Sequence, residues 1–211
     1  MQHLSYKELF KNNEIWIKEK TEKDTNYFEK LAKGQDPRYL MIGCSDSRVP
    51  ISSMFNADPG EIFIHRNIAN QVGITDMNLL SVLQYSVEVL KVERIFVVGH
   101  YRCGGVAAAV DCNNDGLIEN WVSPIKDLYV QNMHKFDFIN DKQNSLDKLS
   151  EVNTIEQVKN IFKTSIMHKA LDMKQYPSVH ALIFDIYTGK IRELDLPVEE
   201  WKTSGLIPEY Y

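Results

Sequence analysis

The sequence predicts an α/β fold: a mainly parallel central β-sheet of four strands plus an antiparallel edge strand, flanked by helices. Short apolar runs without polar alternation are typical of strands covered on both faces. These runs alternate along the chain with longer segments in which apolar residues recur at helical spacing. The 211 residues, of which 44% are hydrophobic and 25% charged, suit a single globular domain spanning residues 1–211.

The N-terminal segment is predicted to be one helix over residues 5–33, because its apolar residues fall at loosely helical spacing among charges. Gly34 and Pro37 end this run. Residues 1–34 then form an N-terminal helical arm, and residues 35–211 form the α/β core. The mixture of Lys and Glu in the arm is unlike a signal or transit peptide. No apolar run approaches the roughly 20 residues that span a bilayer, so we expect a cytoplasmic protein without a membrane partner.

The core is predicted to contain five strands, at residues 39–43, 62–64, 94–99, 179–187 and 191–196. The last two form a hairpin through Thr188-Gly189, which makes the edge strand antiparallel. Helices are predicted between the strands, at residues 76–90, from Gly105 onward, at 118–140 and at 151–173, with a polar connection at 141–145.

Charge and cysteine content exclude several classes of protein. The formal net charge is −5 with both signs mixed along the chain, which gives no reason to expect a nucleic-acid partner. Three cysteines cannot all pair within one chain and form no framework of the secreted type. Reduced thiols are the simpler interpretation, which leaves metal binding, catalysis or burial as their roles. Cys112 lies outside the two polar segments described next, which follow buried strands, and is predicted to be a free or buried thiol.

Two polar segments each follow a predicted buried strand. The first is Cys44-Ser45-Asp46-Ser47-Arg48, and the second is His100-Tyr101-Arg102-Cys103-Gly104-Gly105. Ligands of open α/β sheets bind beyond the carboxyl ends of the strands. If the two strands are neighbours, the side chains of Cys44, His100 and Cys103 converge.

Two thiolates and one imidazole are good zinc ligands, and three protein ligands leave one tetrahedral position open for water. Asp46 could serve as a fourth ligand, although Arg48 is placed to hold that carboxylate in an ion pair instead. Each cysteine could also be a small core residue. A phosphate site at the glycines around residue 104 is a further alternative, but the spacing of the nucleotide-binding fingerprints is absent.

Together the two segments resemble the double signature of the β-carbonic anhydrases. The resemblance is strongest from Gly34 to Gly105, where it includes Pro59-Gly60-Glu61 and the segment 66–70, and it continues more weakly to the closing hairpin. It implies one Zn²⁺ per subunit, held by Cys44, His100 and Cys103. It also implies reversible hydration of carbon dioxide to bicarbonate and a proton by a zinc-bound hydroxide.

The resemblance also assigns roles to other residues. Asp46 would orient the nucleophile, and Arg48 would keep Asp46 ionised and turned away from the metal. In a closed state of the family the matching aspartate ligates zinc. We expect this chain to be open at neutral to alkaline pH, because Met41 and Phe184 stand where bicarbonate-regulated members carry Trp and Tyr, although Arg66 is present.

Substrate contacts are implied in the same way. The side chain of Gln35 and the backbone amide of Gly104 would donate to substrate oxygens, and Phe63, Ile68 and Tyr85 would line an apolar CO2 pocket. Core packing is the alternative role for these three. His65 and His134 are candidates for proton export only because they are histidines.

The family forms dimers through such N-terminal helices, so a homodimer or a tetramer is expected. Two other functions stay open from the sequence. One is hydrolysis of carbon disulfide or carbonyl sulfide by the same three ligands. The other is a zinc-binding or redox-sensing module without turnover.

Overall fold

A computed structural model describes residues 3–111, 116–138 and 140–211. Its strands are β1 (Tyr39–Cys44), β2 (Ile62–Asn67), β3 (Arg94–His100), β4 (Ser178–Phe184) and β5 (Ile191–Leu194). They form one sheet in the order β2-β1-β3-β4-β5. β5 pairs antiparallel with β4, and all other pairs are parallel. The predicted fold class is therefore confirmed, while Cys112 lies outside the described residues.

The helices are α1 (Tyr6–Lys23), α2 (Tyr27–Leu31), α3 (Ile51–Met54), α4 (Met77–Gln84), α5 (Gly104–Val110), α6 (Leu117–Gln131), α7 (Lys142–Phe162), α8 (Ser165–Asp172) and α9 (Val198–Thr203). Helix α4 continues into a π-helical turn, Tyr85–Val89. None of the helices in the described part of the chain is both long and apolar enough to cross a membrane.

The chain forms two compact units, the first ending at Asp36 and the second spanning Pro37–Tyr211. The first unit contains α1 and α2 rather than the single predicted helix over residues 5–33. The side chain of Asp24 accepts hydrogen bonds from the Asn26 backbone N–H (3.1 Å) and from Lys30 (2.6 Å). Such local bonds compete with helix formation, so the chain turns before α2. Helix α1 has no buried residue.

In the second unit both faces of the sheet are apolar, as expected of strands covered on both sides. On one face, Leu40, Ile42, Ile95 and Val97 pack with residues from α4, α7 and α8. On the other face, strand residues pack with Val49 and Ile51; they are Met41, Val98, Leu182 and Phe184.

Several predicted boundaries are wrong. The predicted connection at residues 141–145 belongs to α7, because the Asp141 side chain caps that helix by accepting from the Asn144 N–H (3.0 Å). The predicted helix 151–173 is divided where Thr164 caps α8 by accepting from the Met167 N–H (3.2 Å). Helix α6 ends at Gln131 instead of reaching residue 140, and β4 and β5 are shorter than predicted.

Candidate metal centre

The carboxyl ends of β1 and β3 bring together three side chains that could bind a metal ion. The two strands are parallel neighbours; Cys44 ends β1, His100 ends β3, and Cys103 immediately precedes α5. The two sulfur atoms lie 3.9 Å apart, and one donor atom from each residue lies within 4.8 Å of the other two. All three side chains are buried. The sequence had predicted this convergence on condition that the strands were adjacent.

The His100 ring is oriented for ligation through Nε2. Its Nδ1 lies 2.9 Å from the Tyr101 carbonyl oxygen. A carbonyl only accepts, so Nδ1 carries the proton and Nε2 carries a lone pair. Nε2 is buried and has no hydrogen-bond partner among the described residues. An unpartnered buried acceptor is costly, and a metal ion at this position would remove that cost.

The loop after β2 approaches Cys44 closely. The Ala69 backbone N–H donates to the Cys44 sulfur at 3.4 Å. Ala69 has φ +63°, in the left-handed region, and its carbonyl accepts from the buried amide of Asn153 at 3.1 Å. A Cβ at Gly105 would lie 2.7 Å from Ile68 Cγ2, so only glycine allows the start of α5 to pack here.

The two thiols are electrostatically coupled. A hydrogen bond from Cys103, supported by the neighbouring His100 ring, lowers the pKa of the Cys44 thiol. The same contact with the Cys44 sulfur, together with burial, raises the pKa of Cys103. One thiolate therefore disfavours a second one beside it. A cation between the sulfurs would stabilise both as thiolates, which is the state that binds metal.

Asp46 lies at the edge of this cluster and is held by Arg48. The guanidinium donates to both carboxylate oxygens, from Nε to Oδ1 (3.0 Å) and from Nη2 to Oδ2 (2.7 Å), and the Arg48 backbone N–H donates to Oδ1 (2.9 Å). The side-chain hydrogen bonds from Arg48 lower the pKa of Asp46 to about 2. Oδ2 lies 3.9 Å from His100 Nε2. The site thus has a carboxylate that is ionised at neutral pH beside its three donors.

Arg66 supports the backbone of the first polar segment. Its Nε donates to the Cys44 carbonyl (2.9 Å), and its Nη2 donates to the Asp46 carbonyl (2.7 Å). Met41 and Phe184, the residues predicted to replace the regulatory Trp and Tyr, belong to one buried apolar cluster.

The predicted substrate residues occupy several places in the structure. The rings of Phe63 and Tyr85 are 5.8 Å apart, and Ile68 approaches Gly105. Gly104 is the first residue of α5, and Gln35 belongs to the N-terminal unit. Their grouping into one pocket with the metal-binding atoms stays a prediction.

The two candidate proton carriers differ in environment. His65 is buried, and burial lowers its pKa. His134 is exposed in the short turn Met133–Lys135. Neither position establishes a role in proton export, which stays a prediction for both.

Three residues that the sequence did not single out hold the turn after β3. The Asp147 carboxylate accepts from the Arg102 N–H at 2.9 Å. The Tyr101 hydroxyl donates to Glu151 and accepts from Arg192 at 3.0 Å. Asp147 and Glu151 are four residues apart on α7, which is a detectable helical spacing. Because this helix was predicted to start at residue 151, after Asp147, the spacing was not recognised from the sequence.

The mainly parallel sheet thus presents two cysteine sulfurs and an imidazole beside an arginine-held carboxylate, and the first three groups could together bind a metal ion. Comparisons with known proteins identify the family. The sequence model described as "Carbonic anhydrase" matches residues 39–191. A carbonic anhydrase of Emericella nidulans is 38% identical over 192 residues, covering 91% of this chain and 84% of that protein.

Two solved structures are similar over most of their length. One belongs to the tetrameric β-carbonic anhydrases of Sordaria macrospora, with a TM-score of 0.86 and 34% identity, covering 90% of this chain and 96% of that one. The other is a Coccomyxa β-carbonic anhydrase in complex with acetazolamide, with a TM-score of 0.87 and 34% identity, covering 95% and 92%. The chain therefore belongs to the β-carbonic anhydrase family of enzymes.

Proposed function

We propose that the protein is a zinc enzyme that catalyses the reversible hydration of carbon dioxide to bicarbonate and a proton. The observation that carries this proposal is the convergence of two buried sulfurs with a His100 Nε2 that has no other partner in the described residues. Thiolate and imidazole donors suit zinc, whereas magnesium and calcium prefer oxygen ligands. Cys44, His100 and Cys103 would hold one zinc ion per subunit and leave a fourth position open.

When bound, zinc would supply Lewis-acid activation of water near neutral pH. The contribution of Asp46 follows from its hydrogen bonds. Arg48 occupies three acceptor sites on that carboxylate, out of about four that a carboxylate offers. The remaining capacity is on Oδ2, the oxygen that faces His100. With a pKa of about 2, Asp46 accepts but does not donate at neutral pH, so it can orient a water or the hydroxyl of bicarbonate.

The same contacts support an open site. Leaving Arg48 for the metal would cost Asp46 its hydrogen bonds with the guanidinium, and we propose that Asp46 stays with Arg48 at neutral to alkaline pH. Apolar side chains at positions 41 and 184 also offer no polar group for binding bicarbonate as a regulator.

For the substrate, we assign the Gly104 N–H and the Gln35 amide as donors and Phe63, Ile68 and Tyr85 as apolar lining. Carbon dioxide has no charge and no permanent dipole, so an apolar pocket with few donors suits it. The contact between Phe63 and Tyr85 and the partial exposure of Ile68 and Tyr85 support this assignment.

We further propose that the enzyme is a homodimer or a tetramer in the cytoplasm. Helix α1 buries no residue, and its side chains of Tyr6, Leu9 and Phe10 are more than half exposed. Such apolar surface is typical of an interface. The cytoplasmic assignment rests on the two metal-binding thiols, which a reducing compartment keeps available.

The test is zinc analysis of the purified protein together with stopped-flow CO2 hydration across neutral and alkaline pH. We expect one zinc per chain and rapid hydration. Asp46→Ala should keep its zinc but lose activity by about 100-fold or more, while Asp172→Ala, at the end of α8, should behave as wild type. Failure to bind zinc, or hydrolysis of carbon disulfide or carbonyl sulfide without CO2 hydration, would overturn the proposal.

A further inference from the structure

One peptide group links α7 to the His100 ring. This group joins Tyr101 to Arg102, and it is hydrogen-bonded at both ends. Its carbonyl accepts from His100 Nδ1 at 2.9 Å, and its N–H donates to Asp147 Oδ1 at 2.9 Å. A carboxylate on α7 and a metal-binding imidazole therefore share a single planar peptide.

The surrounding turn depends on contacts with other parts of the fold. Arg102 has φ +57°, a left-handed conformation that a residue with a Cβ adopts only when its surroundings require it. The Tyr101 N–H donates to the Phe184 carbonyl at 3.0 Å. Asp147 is itself oriented by Gln143, whose side-chain amide donates to Oδ1 at 3.0 Å. The carboxylate thus occupies a defined position relative to the shared peptide.

We propose that Asp147 is a positioning residue that sets the orientation and the donor strength of His100 through the Tyr101–Arg102 peptide. A carboxylate that accepts from a peptide N–H polarises the group and makes its carbonyl a stronger acceptor. A stronger acceptor at Nδ1 fixes the tautomer and increases the electron density at Nε2, as carboxylates hydrogen-bonded directly to other metal-binding histidines do. Here the carboxylate acts through one intervening peptide.

This inference rests on the proposed metal site, but it makes a separate claim. If Asp147 only attached α7 to the turn, its removal would lower the stability of the metal-free protein and leave intrinsic zinc affinity unchanged. If Asp147 acts through His100, its removal changes the affinity for the metal and the ligand geometry around it. Metal binding and the spectrum of the bound metal distinguish the two roles.

The experiment compares Asp147→Ala and Asp147→Leu, which remove the acceptor, with Asp147→Asn, which keeps an acceptor of the same size. Zinc affinity is measured by competition with a chromophoric chelator, and ligand geometry by the visible absorption of the Co²⁺-substituted protein. We expect zinc binding to weaken by about 10- to 100-fold in the Ala and Leu variants, with altered Co²⁺ bands. Asn should recover most of the affinity and the wild-type spectrum.

Glu156→Ala is the matched control, because Glu156 lies on the same helix and pairs with Lys163 at 3.0 Å. It should change neither zinc affinity nor the Co²⁺ spectrum. Wild-type affinity and spectrum in the Ala or Leu variant would overturn the positioning role, and one folded variant of the two is sufficient for this test. Failure of the wild-type protein to bind zinc would instead overturn the proposed metal site.

Discussion

The two polar segments that form the candidate metal centre differ in where the side chains that hold them come from. In the segment after β1, Asp46 and Arg48 are two residues apart and contact each other directly. In the turn after β3, the partners are distant in sequence: Arg102 and Asp147 are separated by 45 positions and Tyr101 and Arg192 by 91. The side-chain pair that orients Asp46 is thus local in sequence, whereas the side chains that hold the turn after β3 come from a distant helix and strand.

The largest expected effect tests whether the two segments contribute equally to metal binding. We expect Cys44→Ser and Cys103→Ser each to lose about two to three orders of magnitude in zinc affinity. Structural zinc sites with four ligands bind zinc with a free energy of about 10–16 kcal/mol, and removing one ligand removes roughly a quarter of it. Zinc per chain after dialysis against a chelator measures the loss. Cys112→Ser, at a cysteine that the sequence predicts is no ligand, is the control. If either the Cys44→Ser or the Cys103→Ser variant kept its zinc, the two segments would not contribute equally to metal binding.

The next prediction concerns the packing of β3 against α7. A Cβ at Gly99 would lie 1.9 Å from Thr154 Oγ1, so Gly99→Ala should destabilise the metal-free protein by about 1–3 kcal/mol through overpacking. A Cβ at Gly104 would meet no heavy atom within 4 Å, and Gly104→Ala should stay within about 0.5 kcal/mol of wild type. Chemical denaturation measures both variants.

A double variant provides the check on Gly99. Thr154→Ala removes the oxygen that a new Cβ would meet, so it should reduce the cost of Gly99→Ala when the two are combined. Equal stability of Gly99→Ala and Gly104→Ala would mean that β3 and α7 can separate without cost, contrary to the contact in the structure.

The same contrast explains what the sequence could predict. The run at 39–43 and residues 95–99 of the run at 94–99 contain no charged residue, a pattern typical of buried parallel strands. Two of the three proposed ligands, Cys44 and His100, follow those runs directly, and Cys103 is only three residues further on. Arg48 is close enough in sequence to Asp46 for the pair to be inferred. These features depend on neighbours in sequence, so pattern and spacing alone reveal them.

Helix α7 shows why the rest could not be predicted. Its buried face contains polar residues, namely Ser145, Ser150, Asn153, Thr154 and Gln157. Hydrophobic periodicity cannot identify a buried face of this composition. Asn153 holds the Ala69 carbonyl, and Gln157 accepts from the Val72 N–H at 2.7 Å, so these side chains bond to loops that only the folded chain brings near. The supporting residues were missed for the same reason.

The smallest expected effect concerns the contribution of β5 to the turn after β3. Arg192 Nη2 donates to Glu151 at 2.6 Å and to the Tyr101 hydroxyl at 3.0 Å, yet 57% of its side chain is exposed. Water competes for an exposed guanidinium, so we expect Arg192→Ala to cost only about 0.5–1 kcal/mol of unfolding free energy. Arg38→Ala is the control, because it removes a comparably exposed ion pair, with Glu93, that involves neither Tyr101 nor Glu151.

A double-mutant cycle between Arg192→Ala and Tyr101→Phe decides whether this network matters. Residues that act together should show a coupling energy above about 0.5 kcal/mol in chemical denaturation, because each loses its benefit when the other is removed. If the two effects are additive and Arg192→Ala costs no more than Arg38→Ala, β5 contributes nothing to the turn. In that case the side-chain contacts that hold the segment containing His100 come from α7, through Asp147 and Glu151, beside the backbone bond to Phe184.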